Sequence, residues 1–376
     1  MRHICYVSGT RADFGLLART LRQLKARAGV RLTVVVTGMH LSARYGGTIG
    51  EIRREGLRIL AKVPSPLHPA TGTTMALAVA AQLRGFARAW SRSRPDLVVV
   101  LGDRGEMLAG ATAAVLLGIP VAHLHGGERS GTVDESFRHA ISKLAHYHLV
   151  ATRVSRQRLV RMGEPRRRIF VTGAPGVDDL HHVARSSRTQ LWREARLDPR
   201  RKTALVVLHP VVQEQRAAER QTLQLHAALR AEGLQMLWLL PNADAGSDGI
   251  RRALAGLPPD AGLKLVTHLP RARYLAWMSR ADLLAGNSSS AIIEAATFGT
   301  PVVNVGTRQN GRERNPNVID AAWSLPAIRR AVGRALRRPR RPGRNLYGDG
   351  RASDRICRLL ATVPLAPDLL DKLNAY

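Results

Sequence analysis

The strongest constraint on what this chain can fold into is its rhythm. Short β-rich apolar runs alternate with longer amphipathic stretches along nearly the whole length. In the first half the β runs are Ile4–Val7, Leu32–Thr37, Leu97–Leu101, Val121–His125, Tyr147–Ala151 and Ile169–Thr172; helical patterns such as Leu16–Ala28, Ala76–Ser91 and Glu106–Leu117 lie between them. In the second half they are Thr203–Leu208, Gln235–Leu240, Lys264–Thr267, Leu283–Ala285 and Val302–Asn304. Strands separated by helix-length segments pair in parallel, because only a crossover returns the chain to the same end of a sheet. The stretch from Pro175 to Arg201 is polar and lacks a strong β run, so it reads as a linker. A length of 376 residues is comfortable for two cores. The expected fold class is therefore α/β, with two doubly wound, Rossmann-like domains over residues 1–175 and 202–353, facing each other across a cleft. Such sheets bind ligands beyond the C-terminal ends of their strands, and that is where chemistry is expected.

Composition narrows the function classes. Hydrophobic content of 45% and charged content of 23% are those of a water-soluble globular protein. No apolar run is long enough to span a bilayer, and Met1-Arg-His-Ile-Cys-Tyr-Val7 reads as a strand rather than a signal peptide. Cys5 and Cys357 make neither a disulfide framework nor a metal cluster, so a cytoplasmic protein without membrane partners and without a metal is expected. The net charge of +30 raises the question of nucleic acid. The excess is almost all arginine, spread along helices apart from Arg337-Arg-Pro-Arg-Arg341, and aromatic content is only 4%, so stacking platforms are scarce. We read it as base-composition bias and expect no nucleic-acid partner; the field still attracts an anionic substrate.

The strand ends carry the informative residues. Ala281-Asp-Leu-Leu-Ala285 runs into Gly286-Asn-Ser-Ser-Ser-Ala-Ile-Ile-Glu294, which reads as strand, tight turn, helix. The turn offers backbone N–H groups and the hydroxyls of Ser288, Ser289 and Ser290 to an anion, and Glu294 can accept sugar hydroxyls. A capped helix after a serine-rich turn is the plain alternative. Strand one ends in Ser8-Gly-Thr-Arg-Ala-Asp-Phe-Gly15, where Arg11 can clamp a phosphate or simply lie on the surface. Leu97–Leu101 ends in Gly102-Asp103-Arg104, and Asp103 either caps the next helix or titrates. Val121–His125 leads into Gly126-Gly-Glu128, and Asp134 opens a further helix, as an N-cap or as an acid–base group. Titratable groups from consecutive strand ends converge, which is what proton transfer at carbon needs. Across the expected cleft stand His209-Pro210, Asn242, His268 and Arg308.

Taken together, Gly9-Thr-Arg-Ala-Asp13, Gly102-Asp-Arg104, Gly126-Gly-Glu128, Asp134-Glu135 with Arg138-His-Ala-Ile141, His209-Pro210, Pro241-Asn242, Gly286-Asn-Ser-Ser289 and Gly306-Thr-Arg-Gln309 resemble the UDP-N-acetylglucosamine 2-epimerases, in the hydrolysing branch that feeds sialic and related nonulosonic acid synthesis. The resemblance covers nearly the full length in order. It implies a GT-B fold, with residues 354–376 as a C-terminal helix crossing back onto the first domain. It implies catalytic carboxylates at Asp103 and Asp134, and UDP contacts at Arg11, Arg104, His209, Asn242, His268, Ser288, Ser289, Glu294 and Arg308; His209, opposite the acidic loops, is counted among the catalytic candidates as well. It implies no cofactor, a homodimer or higher homo-oligomer, and UDP as product: UDP leaves C1 as a base takes the C2 proton, and water then adds to the 2-acetamidoglucal. One position departs from the pattern. Several relatives carry a catalytic glutamate directly before the glycine pair; here it is His125, and the nearest glutamate, Glu128, follows the pair. We expect His125 to take the acid–base part with Glu128 assisting.

The expected substrate is UDP-N-acetylglucosamine, giving N-acetylmannosamine and UDP. UDP-N,N′-diacetylbacillosamine, a 2,4-diacetamido sugar nucleotide, is the alternative in the same mechanism. A GT-B glycosyltransferase is less favoured, since it needs no convergence of Asp103, His125 and Asp134.

Overall fold

The computed structural model describes residues 1–183 and 185–376, with the backbone alone at His181 and Val183. Two parallel sheets organise them. The first has seven strands: β1 (Arg2–Ser8), β2 (Val30–Thr37), β3 (Arg58–Val63), β4 (Leu97–Leu101), β5 (Val121–Leu124), β6 (Tyr147–Val150) and β7 (Ile169–Val171), in the order β3-β2-β1-β4-β5-β6-β7. The second has six: β8 (Thr203–Val207), β9 (Gln235–Leu239), β10 (Leu263–Val266), β11 (Leu283–Gly286), β12 (Val302–Val305) and β13 (Val318–Ala321), in the order β10-β9-β8-β11-β12-β13. Every pairing is parallel. The α/β fold with two doubly wound sheets is thus as expected.

The expected strands are present, and two more edge strands flank them. β3 (Arg-Ile-Leu-Ala-Lys-Val) is half exposed and interrupted by charges, and β13 (Val-Ile-Asp-Ala) is shorter still and as mixed. Edge strands lose the continuous apolar signature that central parallel strands need. Within the stretch read as a linker, Arg188–Ala195 is a helix whose Trp192 is fully buried in the second sheet's core, beside Leu205, Leu237 and Trp277.

The order of each sheet reverses between two neighbours, β1/β4 in the first and β8/β11 in the second. At each reversal the following helices leave on opposite faces and open a crevice beyond the strand ends. The helix Arg11–Ala26 after β1 starts on a reciprocal cap: Thr10 accepts from the Asp13 N–H and Asp13 accepts from the Thr10 N–H at 2.5 Å. Asp13 also accepts from the Tyr6 hydroxyl and from Ser8 Oγ, at 2.9 and 2.7 Å. Its place in the motif is therefore to build the loop. The helix Ala352–Thr362 buries Ile356, Cys357 and Leu360 in one cluster with Leu17, Leu21 and Leu24 of the first helix. No helix among the described residues is long and apolar enough to cross a membrane.

Candidate active site

The two crevices face each other and merge into one cavity. Arg11 and Asp103 stand at the first reversal, His209 and Ser288 at the second. Asp103, Arg104, His125, Glu128, Asp134, Arg11, His209, Asn242, His268, Ser288, Ser289, Glu294 and Arg308 all line this cavity. Sequence-distant loops meet there for a steric reason as well as an electrostatic one. Gly286, at φ +127°, turns the chain after β11, and a Cβ on it would lie 2.2 Å from the Val207 carbonyl oxygen. Gly131 lets the loop after β5 touch the loop after β12, where a Cβ would meet the Thr307 carbonyl oxygen at 1.9 Å.

The first sheet supplies the carboxylates. Neither Asp103 nor Asp134 caps a helix: the helix Gly105–Leu116 is preceded by Arg104, and Asp134 is the first helical residue of Asp134–Leu144, after Val133. Asp103 is held by Arg138 of that same helix, one turn below Asp134. Burial and the neighbouring Asp103 push the Asp134 carboxyl up to about 6, with Arg308 opposing from 3.6 Å. Asp134 therefore exchanges a proton near neutrality.

His125 has φ +63°, an uncommon conformation for a residue with a side chain. It places Nδ1 2.5 Å from Glu128 Oε1. Its Nε2 is buried and makes no hydrogen bond within the protein. Glu128 is buried too; burial opposes its ionisation, but Arg312, His125 and Arg138 outweigh that and hold it well below the usual carboxylate range. A carboxylate at Nδ1 fixes the tautomer and ring orientation and leaves Nε2 to move a proton.

The second sheet supplies cations and hydroxyls. His209 is held at both backbone polar groups by the Asn287 side chain, at 2.8 Å each. Burial, then Arg308, pulls its imidazole down to about 3, so His209 is neutral at pH 7 and offers hydrogen bonds rather than charge. Ser288 Oγ lies 2.9 Å from Ser290 Oγ, which in turn meets the Tyr274 hydroxyl. Arg308 donates to the Asn287 carbonyl at 3.2 Å.

Comparison with known proteins fits this geometry. Residues 22–361 match the family model described as UDP-N-acetylglucosamine 2-epimerase. The chain belongs to that family. It is 46% identical over 376 residues, covering 100% of both chains, to the UDP-N,N′-diacetylbacillosamine 2-epimerase (hydrolyzing) of Legionella pneumophila. It is 33% identical to the UDP-N-acetylglucosamine 2-epimerase of Neisseria meningitidis, over 89% of this chain and 88% of that one. Its fold matches the Methanocaldococcus jannaschii UDP-GlcNAc 2-epimerase, solved in complex with UDP-GlcNAc and UDP, with a TM-score of 0.80 at 18% identity over 96% of this chain and 99% of that one. The GT-B-like arrangement of the epimerase is thereby shown.

Several polar residues of this epimerase's cavity escaped the sequence reading as site residues. Arg312 pairs with Glu128 across the cleft. Arg104 joins Glu106 at 2.8 Å to Asp244, on the opposite side, at 3.1 Å. Glu51 meets His268 Nε2 at 2.5 Å, and Arg11 donates to the Thr267 carbonyl and lies 3.0 Å from His268 Nδ1. Arg271 holds Glu294 at 2.6 Å, so one oxygen of the carboxylate expected to meet sugar hydroxyls is already committed. Arg138 had a visible signal. Asp134, Arg138 and Ile141 fall on one helical face, and an arginine on an apolar face calls for a buried partner.

Proposed function

We propose that this chain is a hydrolysing UDP-sugar 2-epimerase whose substrate is UDP-N,N′-diacetylbacillosamine. The 46% identity to the Legionella enzyme over the full length of both chains supports that sugar. The carrying observation for the chemistry is the His125–Glu128 pair, with Nε2 uncommitted and Asp134 lining the same cavity.

In this reading UDP lies against Ser288, Ser289 and Arg308, with its sugar pointing at the first sheet. His125 Nε2 takes the C2 proton, the electron pair forms the C1=C2 bond, and the C1–O bond breaks as UDP departs. Asp134 then delivers a proton to the opposite face of C2 as water oxygen adds to C1; the proton that water loses passes to the Asp134 carboxylate, and the His125 imidazolium returns its proton to solvent. Glu128 keeps His125 in one tautomer and stabilises the imidazolium as it forms. Asp103, held by Arg138, packs behind the reacting carbons. The neutral His209 and the cations Arg308 and Arg104 meet charge developing on the leaving diphosphate. Residues 1–175 and 202–353 serve as the two walls, bridged by the ion pairs of Arg312, Arg308 and Arg104.

UDP-N-acetylglucosamine is the second reading, favoured by the 33% identity to the meningococcal enzyme. Proton NMR in deuterated water separates the two. Free 2-deuterated 2,4-diacetamido-6-deoxymannose from the first nucleotide sugar supports the proposal. Turnover of UDP-N-acetylglucosamine alone moves the sugar, and turnover of neither removes the hydrolase.

A further inference from the structure

A second cavity opens off the first. The two share Met39, Arg104 and Asp134, while the serine loop and Glu294 border only the first. Its walls are mainly apolar, with Leu67, Met75, Val79, Val133 and Phe137 prominent. The carboxylates on its floor, Glu106 and Asp244, are both engaged by Arg104. One polar group stands apart. Gln82 lines this annex, is 2% exposed, and donates from Nε2 to Ser65 Oγ at 3.2 Å, but its Oε1 makes no hydrogen bond within the protein. A buried carbonyl without a donor is unfavourable, so an uncommitted acceptor in an apolar recess marks a place for an N–H carried on an apolar group.

We infer that this annex receives the C4–C6 edge of the sugar and selects a 4-acetamido, 6-deoxy pyranose. The inference rests on the UDP-sugar reading above. In a pyranose C1 and C4 lie at opposite ends of the ring. With UDP at the serine loop and C2 beside His125 and Asp134, C4 points away from UDP, and the annex is the space that continues past Asp134. The Gln82 carbonyl accepts the amide N–H at C4, and Met75, Val79 and Phe137 cover the acetyl methyl and the C6 methyl. Hydroxyls at C4 and C6 would give up water against the same walls without enough partners, so the recess discriminates against UDP-N-acetylglucosamine.

The test compares UDP-N,N′-diacetylbacillosamine with UDP-N-acetylglucosamine on the intact enzyme, on Gln82→Met and on Thr74→Phe, which fills the annex from its half-buried rim. Selectivity is read as the ratio of kcat/KM values, or of dissociation constants by calorimetry for any protein that turns over neither sugar; UDP binding is the control. The expected result is a preference of about 10-fold or more for the diacetamido sugar, collapsing several-fold in both variants at constant UDP affinity. Equal use of the two sugars by the intact enzyme, or a preference that survives both substitutions, overturns the annex. A binding preference that responds to both substitutions without turnover of either sugar removes the hydrolase reading and leaves the annex standing.

Discussion

Two buried histidine–glutamate pairs are built around neighbouring strands of the first sheet, one just past the end of β5 and one within β6, and their chemistry on paper is nearly the same. His125 with Glu128 follows β5; His148 of β6 meets Glu164 at 2.9 Å. Each glutamate also faces two cations, Arg312 and Arg138 in one case, Lys143 and Lys372 in the other. Each histidine keeps one ring nitrogen without a protein partner. What differs is position. His125 lies beyond the end of its strand, in a left-handed backbone conformation, on the cavity wall. His148 lies inside its strand, fully buried, and is sealed by the C-terminal segment, where Lys372 also donates to the carbonyls of Ser142, Lys143 and Ala145. A strained backbone at a cavity and a relaxed one in a core are why the proposed function gives chemistry to the first pair and architecture to the second.

The comparison breaks first if His125 can be lost without cost. Asparagine tolerates positive φ, so His125→Asn should fold normally while turnover falls about 1000-fold, the range of a general acid–base group; UDP affinity by calorimetry should stay within about 2-fold. A variant retaining most turnover would put the pair near β5 in the same architectural class as the one in β6. Next in size is Glu164→Gln. Removing one member of a buried ion cluster should destabilise by about 3 kcal/mol in denaturant titration with kcat unchanged. The native cluster also has a pH signature. Burial opposes ionisation of Glu164, but His148 and Lys372 outweigh it and hold the folded value at about 2, below the ordinary 4.5. Its stabilisation is therefore complete above about pH 4.5 and is lost as pH falls towards 2, which melting temperatures across that window will show. Asp134→Asn should follow with a loss of about 100-fold in kcat. Because the Asp134 carboxyl titrates near 6 and must hold a proton to deliver one, the native rate of that step should decline as pH rises through that value, and the decline should vanish in the variant.

The alternation of strands and helices and the polar strand ends were legible because parallel sheets impose both locally. A central strand must be apolar throughout, and its last residues must face the crevice. Partners were not legible. Arg312 and Glu128 are 184 residues apart, and in a chain with 58 lysines and arginines no local pattern distinguishes Arg312 from the many surface arginines. The pairing of His125 with Glu128 was half visible, since Glu128 is the glutamate nearest the position where relatives carry a catalytic one; the left-handed turn that brings them together depends on the packed loop. Glu164 and His148 gave no signal of their likeness to that pair, because a histidine inside an apolar run reads as core.

The smallest effect lies within the β6 cluster and sharpens what burial contributes. Lys143 reaches Glu164 at 2.9 Å with its side chain 38% exposed, whereas Lys372 reaches it at 2.8 Å with 13% exposed. An exposed ammonium keeps most of its hydration and its attraction is screened, so Lys143→Met should cost only about 0.5 kcal/mol. Lys372→Met removes the cation with the least access to solvent and also frees three helix-terminal carbonyls, so its cost should be several times larger, with kcat unmoved in both. Equal costs measured by denaturant titration would mean that proximity to the carboxylate, and not burial of the partner, decides how much each lysine stabilises. The contrast drawn between the two histidine pairs would then lose one of its physical supports.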